Sequence, residues 1–210
     1  MHNNIKLILW DFGGVLTKSP LVKFTEYEKK YNLPSGTIIK INSHNKLNNA
    51  WAKLEKNLIN KEEFSELFLK EARELKIKEK LDTNKILDCL NVELEPIMIN
   101  IFFELKKKIT CACLTNNIRN NNNSIISNNT FDSFKSNFSY VFESSKLGLR
   151  KPEEEIYKCV LSFLKLPPQN ILFIDDLGIN LKPAKKLGFN TYKATSPKNT
   201  QIFLENFLEN

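Results

Sequence analysis

Short apolar segments alternate with longer amphipathic ones along most of the chain. Five segments predict strands, because each is short, β-favouring and bounded by turn residues: Ile5–Trp10, Ile109–Leu114, Phe138–Phe142, Ile171–Ile174 and Asn190–Lys193. The intervening segments place apolar residues three and four positions apart, which predicts helices. Strands that alternate with helices are typical of an α/β fold, in which a parallel sheet is flanked by helices.

The helical segments are unevenly distributed. One long block, from about Leu21 to Leu75, contains no strand signal, and Leu47, Ala50, Trp51, Leu54 and Leu58 share one helix face within it. Later helices are predicted from Pro96 to Leu105, Glu153 to Leu164, Asn180 to Leu187, and Pro197 to Leu208. The Asn-rich segment from Asn116 to Asn129 predicts a surface loop.

Polar side chains follow three of the predicted strands. Asp11 follows the first strand, Thr115 and Asn116 the second, and Asp175 and Asp176 the fourth. The carboxyl ends of parallel strands open into one crevice, so these residues are expected to meet there. Such a group of oxygen ligands suits Mg²⁺ together with a phosphoryl group. The alternative is that the two adjacent acids only cap the helix that follows.

The length and hydropathy of the chain exclude several classes of protein. It has 210 residues, of which 41% are hydrophobic, enough to bury a core. No apolar stretch approaches the roughly 20 residues that cross a bilayer, so we expect no membrane-spanning segment. The run Ile5–Trp10 is too short for a secretory signal, which favours a cytoplasmic location.

Charge and cysteine content narrow the expected partners further. Thirty-one Lys and Arg against twenty-four Asp and Glu give a net charge of +7. The basic residues are dispersed, so we expect solvated helix faces and no nucleic-acid partner, and a positive field that favours small phosphorylated molecules. The four cysteines form no C-x-x-C pair and are expected to be free thiols. No pattern in the sequence indicates an oligomeric state.

Four motifs, in order, resemble those of the haloacid dehalogenase-like (HAD) hydrolase superfamily. They are DFGGVL at 11–16, LTNN at 114–117, GLRKP at 148–152 and FIDDLGINLKPAKKLGF at 173–189. The last two are similar to the N-terminal phosphatase domain of soluble epoxide hydrolases and to related sugar-phosphate phosphatases. This resemblance implies a Rossmann-like α/β core formed by residues 1–16 and 91–210, with an inserted small α-helical cap formed by residues 17–90.

The resemblance also implies a role for each motif residue in a Mg²⁺-dependent hydrolysis of phosphomonoesters. Asp11 would attack phosphorus, become an aspartyl-phosphate and contribute to the metal site. Asp176 would ligate Mg²⁺ directly, as would the backbone carbonyl of Gly13. Asp175 would orient metal-bound water, and Asn180 is a weaker candidate beside it.

The remaining motif residues would contact the phosphate. The Thr115 hydroxyl and Asn116 would donate hydrogen bonds to phosphate oxygens. Lys151 would neutralise charge on the phosphate and on Asp11. The expected partner is therefore a small phosphorylated substrate.

One residue departs from the family pattern. Most phosphatases of this superfamily read Asp-x-Asp, whereas this chain reads Asp11-Phe12-Gly13, so the general acid/base is absent. Such a group typically contributes about 10²- to 10⁴-fold to the rate. We therefore expect a substrate with a good leaving group, or a cap residue that replaces the acid.

Two alternatives remain open at this stage. The protein could be a catalytically weak or inactive phosphate- or partner-binding protein that kept the fold. It could also be a metal-independent dehalogenase, since those family members lack the second Asp too. Paired acids beside the nucleophile argue against the dehalogenase, because a metal-free enzyme gains little from them.

Overall fold

A computed structural model describes residues 4–119 and 129–209. Five parallel strands form one sheet in the order β3-β2-β1-β4-β5: β1 (Leu7–Trp10), β2 (Thr110–Thr115), β3 (Tyr140–Glu143), β4 (Ile171–Asp175) and β5 (Asn190–Lys193). Within it, Trp10 lies opposite Cys113 on one side and Ile174 on the other. The predicted α/β fold with a parallel, helix-flanked sheet is confirmed.

Helices occupy most of the remaining described chain. They are α1 (Pro20–Lys30), α2 (Thr37–Ser43), α3 (Ala50–Glu55), α4 (Lys61–Glu74), α5 (Thr83–Asp88), α6 (Pro96–Lys106), α7 (Asn129–Phe134), α8 (Ser144–Leu147), α9 (Glu154–Leu164), α10 (Gly178–Lys186) and α11 (Pro197–Glu209). Two 3₁₀ turns lie at Lys135–Asn137 and Pro168–Asn170. Most of the Asn-rich segment lies outside the described residues.

Each face of the sheet has its own hydrophobic core. On one face, β1 side chains such as Trp10 pack with Phe102 of α6 and with Leu204 of α11. On the other face, Leu9 and Phe173 pack with Tyr157 of α9. Because both faces are covered, the strands are almost entirely buried, and this explains their nearly continuous apolar sequences.

Helices α1–α5, which we call the helical insertion, pack around a third hydrophobic cluster. Trp51, Phe64 and Phe68 are buried at its centre, and Ile118 joins it from the segment after β2. The predicted helix face around Trp51 is longer than the observed helix. Leu47 and Leu58 are exposed, because Asn49 caps α3 at its start and Asn57 adopts a left-handed conformation just after its end.

The two connections between the helical insertion and the sheet run side by side. Thr17 and Leu94 form an isolated antiparallel bridge. The Lys18 amide donates to the Glu93 carbonyl at 2.9 Å, and the Glu95 amide donates to the Leu16 carbonyl at 2.9 Å. The chain therefore leaves the sheet region and returns to it through paired segments.

Two further expectations concern the described residues. Across residues 4–119 and 129–209, no helix combines the length and the apolar character needed to cross a membrane. All four cysteines are free thiols, and Cys89, Cys111 and Cys113 are buried, as expected. Burial raises the pKa of the Cys111 thiol to about 11, which keeps it protonated and inert.

Candidate active site

Three neighbouring strands bring the polar motif residues to one edge of the sheet. Asp11 directly follows β1, the central strand, while Thr115 ends β2 and Asp175 ends β4. The three strands run parallel and in register, so their carboxyl ends lie side by side. The apolar residues before each polar one are buried on both faces, and this fixes the polar residues at the edge.

An acidic cluster forms at this edge. Carboxylate oxygens of Asp11, Asp175 and Asp176 lie within 4.8 Å of one another. Asp11 and Asp175 are buried, whereas Asp176 is partly exposed. Adjacent buried carboxylates repel one another, so the cluster requires compensating positive charge.

Lys151 supplies part of this compensation. Its ammonium lies 2.8 Å from Asp11 Oδ1 and 2.8 Å from Asp175 Oδ2, and the side chain is 1% exposed. Burial alone would lower the pKa of Lys151, but the two carboxylates outweigh it and hold the pKa above its ordinary value. Lys151 is therefore a permanent cation between two acids.

One cation does not balance three carboxylates. Burial, with a smaller contribution from Asp175, raises the pKa of Asp176 to about 6. Burial also raises the pKa of Asp11 well above its usual range, although Lys151 acts in the opposite direction. Both acids are thus held in an environment that favours either a proton or a further cation.

Asp175 is fixed by hydrogen bonds from three directions. Besides Lys151, it accepts the Leu177 amide at 2.8 Å and the Asn180 carboxamide nitrogen, which lies 3.0 Å from each carboxylate oxygen. The Tyr157 hydroxyl donates to the Asn180 carbonyl at 2.7 Å and so anchors the start of α10. Asn180 therefore acts on Asp175, and Asp176 remains the acid with fewer protein partners.

The two glycines after Phe12 have different surroundings. A Cβ atom on Gly14, whose φ is +76°, would lie 2.5 Å from Asp176 Oδ2. A Cβ atom on Gly13 would meet no atom within 4 Å. Gly14 is therefore required for the close approach of the loop to Asp176, whereas Gly13 leaves open space where the family pattern has an acid.

Asn116 lies in the site, but its carboxamide is already bonded to protein groups. It donates to the Lys151 carbonyl at 2.9 Å and to Glu55 Oε2 at 3.0 Å, and it accepts the Lys151 amide at 2.9 Å. Thr115 is buried beside it. Asn116 thus fixes the segment that carries Lys151, and its contact with phosphate stays a prediction.

Sequence reasoning missed Glu55 and Arg150 at this site. Glu55, the last residue of α3, accepts Arg150 Nε at 2.6 Å and also contacts Asn116. A glutamate on an amphipathic helix is usually expected to face solvent. The sequence signal for a buried Glu55 was its position four residues after Trp51, because Glu55 Oε1 accepts a hydrogen bond from the Trp51 indole N–H at 3.0 Å. The contact between α3 and the sheet edge depends on tertiary packing.

A cavity of about 800 Å³ opens beside the acidic cluster. Its walls include Gly14, Asp176, residues of the connections to the helical insertion, and residues of α1, α6, β5 and α11. Apolar side chains such as Val22 and Met98 line it together with Lys18, Lys23 and Lys193. A small molecule can therefore reach Asp176 from this side.

The donor set fits a divalent oxygen-seeking cation. Asp11 and Asp176 have raised pKa values, which a bound cation would reverse, and all ligand atoms of the cluster are carboxylate oxygens. Lys151 pairs with Asp11 and Asp175, and none of the described ion pairs gives Asp176 a direct cationic partner. The edge can thus hold a metal ion beside the buried carboxylate of Asp11.

Comparison with known proteins identifies relatives by sequence. The sequence profile of the haloacid dehalogenase-like hydrolases matches residues 5–188. The chain is 31% identical over 209 residues to acyl-CoA dehydrogenase family member 10 of Mus musculus, covering 97% of this chain and 19% of that protein. It is 36% identical over 96 residues to bifunctional epoxide hydrolase 2 of Rattus norvegicus, covering 45% of this chain and 17% of that protein. The chain spans about one fifth of the length of these relatives.

Solved structures share the fold. A HAD family enzyme from Bacteroides thetaiotaomicron, in complex with magnesium and inorganic phosphate, has a TM-score of 0.60 at 24% identity, covering 90% of this chain and 93% of that one. The L-2-haloacid dehalogenase from Xanthobacter autotrophicus has a TM-score of 0.59 at 18% identity, covering 90% and 77%. The profile match over most of the sequence, the parallel sheet and the acidic cluster at its edge together show that this chain belongs to the haloacid dehalogenase-like hydrolase family.

Proposed function

We propose that the protein is a Mg²⁺-dependent phosphomonoester hydrolase that acts through an aspartyl-phosphate on Asp11. The observation that carries this proposal is the acidic cluster, in which Asp11 lies within 4.8 Å of Asp175 and Asp176 and is paired with Lys151. A dehalogenase that uses no metal has no need of three carboxylates at its nucleophile. The hydrolase family includes both activities, and the acidic cluster favours the phosphatase.

Asp11 and Asp176 would hold Mg²⁺ together with the Gly13 carbonyl, and Asp175 would orient water on the metal. When bound, the ion supplies positive charge that stabilises the phosphoryl oxygens and keeps Asp11 ionised. Asn180 contributes by holding Asp175 through its carboxamide. The fold neighbour from Bacteroides thetaiotaomicron was solved in complex with magnesium and inorganic phosphate, which supports this assignment.

Chemistry then proceeds in two displacements. A carboxylate oxygen of Asp11 attacks phosphorus, the bond between phosphorus and the leaving oxygen breaks, and the leaving group departs as an anion that takes its proton from solvent. Water next attacks the aspartyl-phosphate, releasing inorganic phosphate and regenerating Asp11. Lys151 stays protonated throughout and offsets negative charge that develops on the phosphoryl group.

Gly13 provides no proton for the leaving group. We therefore propose that the substrate is a small phosphorylated metabolite whose leaving group departs as a stable anion, such as an anomeric sugar, aryl or acyl phosphate. We further propose that residues 17–90 form a cap over a core of residues 1–16 and 91–210. Its own hydrophobic cluster and its paired connections to the sheet support this division.

The test is hydrolysis of p-nitrophenyl phosphate by the purified protein with Mg²⁺ and with EDTA. Asp11→Asn is the blank, because it keeps the shape of the site but removes the nucleophile. We expect turnover that requires Mg²⁺ and disappears in the variant. Turnover that persists in EDTA, or that Asp11→Asn retains, would contradict the proposal.

One observation favours a second candidate, a phosphate- or partner-binding protein with little or no turnover. Gly13 stands where an acid would act, and space for a side chain is open there. Gly13→Asp separates the two candidates. A binding protein with an otherwise intact site gains phosphatase activity, whereas an enzyme suited to good leaving groups gains little on p-nitrophenyl phosphate.

A further inference from the structure

Glu55 connects the helical insertion to the sheet edge. Glu55 is buried at the end of α3, and both of its carboxylate oxygens accept hydrogen bonds. Oε1 accepts the Trp51 indole N–H at 3.0 Å within the insertion. Oε2 accepts Arg150 Nε at 2.6 Å and Asn116 Nδ2 at 3.0 Å, both from the sheet domain. Three donors converge on one buried anion.

The two partners in the sheet domain lie next to Lys151. Arg150 precedes it in sequence, and Asn116 exchanges two hydrogen bonds with its backbone, each of 2.9 Å. The Lys151 ammonium in turn reaches Asp11 and Asp175. A continuous set of hydrogen bonds therefore runs from α3 through Asn116 to the lysine beside the nucleophile.

We propose that Glu55 is a positioning residue, which orients Asn116 and Arg150 so that Lys151 is aimed at the phosphoryl group. Without it, both donors of this buried site lose a charged acceptor, and the segment that carries Lys151 has fewer fixed positions. Glu55 contacts no member of the acidic cluster among the described bonds. We therefore expect Glu55 to affect the binding of phosphate and not the binding of Mg²⁺.

This inference rests on the proposed function, and the test separates the two. The variant is Glu55→Gln, which keeps the size of the side chain but offers one acceptor oxygen to three donors. The matched control is Lys56→Met. Lys56 is the next residue and makes another ion pair to the sheet domain, with Glu153 at 2.8 Å, but it does not contact Asn116 or Arg150. Both variants weaken bonds across the same junction: Glu55 makes two of them, and Lys56 makes one.

Three quantities are measured for each protein: kcat on p-nitrophenyl phosphate, and the dissociation constants of Mg²⁺ alone and of inorganic phosphate in saturating Mg²⁺. For Glu55→Gln we expect kcat to fall and the phosphate dissociation constant to rise by roughly 10-fold each, with Mg²⁺ binding unchanged. Lys56→Met should leave all three within about twofold. Arg150→Lys, which keeps the charge but loses the Nε bond, should lie between them.

Equal effects of Glu55→Gln and Lys56→Met on kcat and phosphate binding would overturn the inference. The loss of any bond between the helical insertion and the sheet would then produce the effect. Weakened Mg²⁺ binding in Glu55→Gln would overturn it as well, since that indicates general disruption. If Glu55→Gln does not fold, Arg150→Lys decides by the same criteria. Absent turnover by wild type, with phosphate binding that Glu55→Gln weakens, would contradict the proposed function but support the positioning role. Absence of both turnover and phosphate binding would overturn both.

Discussion

Gly14 and Gly13 are neighbours in the loop after β1, yet only Gly14 faces Asp176. In Gly14→Ala the new Cβ meets Asp176 Oδ2 at 2.5 Å, and the backbone φ of +76° adds a cost of about 1 to 2 kcal/mol for a non-glycine residue. We expect Mg²⁺ affinity to fall roughly 10-fold or more, measured by calorimetry. Gly13→Ala is the control and should bind Mg²⁺ like wild type; equal losses in both would show that Asp176 is not displaced.

Asp176 gives the site a pH dependence. Its pKa is about 6, and a protonated carboxyl cannot ligate a cation, so protons compete with Mg²⁺ below that pH. The apparent Mg²⁺ affinity should be constant above about pH 7 and weaken about tenfold by pH 5. Titrations at several pH values test this, with Asp176→Asn expected to bind weakly at every pH. A flat profile in wild type would place the metal elsewhere.

Loss of Lys151 should cost stability, because its ammonium is buried between two acids. Lys151→Met leaves Asp11 and Asp175 buried without their cation, which should lower the free energy of unfolding by about 3 to 5 kcal/mol. Burial holds the pKa of Asp11 above its unfolded value, so the folded state binds more protons and stability falls as pH rises through the folded pKa. Urea unfolding should therefore show a larger loss at pH 8 than at pH 5. A loss in the free energy of unfolding that does not depend on pH would mean that the packing of the Lys151 side chain matters more than its charge.

At the scale of elements, the helical insertion has a core separate from those of the sheet. Phe68 of α4 is fully buried and packs against Phe64 and Trp51. Phe68→Ala should destabilise the insertion by about 3 to 5 kcal/mol. Hydrogen exchange should then show faster exchange in α1–α5, with the amides of β1 and β4 still protected. Loss of protection in all of these elements together would contradict the division into cap and core.

The strands were more predictable than the insertion. Ile171–Ile174 and Asn190–Lys193 were predicted nearly to the residue, since apolar character and following turns mark them locally. Within the insertion, α5 (Thr83–Asp88) was missed because a six-residue helix offers less than two full turns of periodicity. Asp82 caps the start of α5 locally, and contacts with α4 add to that signal.

The same distinction applies to the candidate site. Asp11, Asp175 and Asp176 follow strands, so topology alone predicted that they converge. Glu55 could not be predicted, because its bonds to Asn116 and Arg150 cross about 61 and 95 residues of chain and depend on how α3 docks. Asn116 was predicted, but the partners of its carboxamide were not.

At the scale of the whole molecule, net charge acts on encounter with substrate. A protein of charge +7 attracts anionic phosphomonoesters, and added salt screens that attraction. We expect KM for p-nitrophenyl phosphate to rise about two- to threefold between about 0.02 and 0.3 M NaCl, with kcat nearly constant. A zwitterionic phosphomonoester of similar size is the control and should respond less. A fall in kcat with constant KM would instead indicate an effect of salt on the site itself.

The bridge between Thr17 and Leu94 has an evolutionary consequence. Because the chain departs and returns at adjoining positions, residues 18–93 can be exchanged for a segment of another length without shifting the strands on either side. Selection can therefore replace most of this segment while the sheet edge that carries Asp11, Asp175 and Asp176 is inherited unchanged. A chimera that joins residues 1–17 and 94–210 to the corresponding segment of a relative should keep the strands in place, and on the proposed function its turnover should depend on whether the new segment supplies an acid where Glu55 lies.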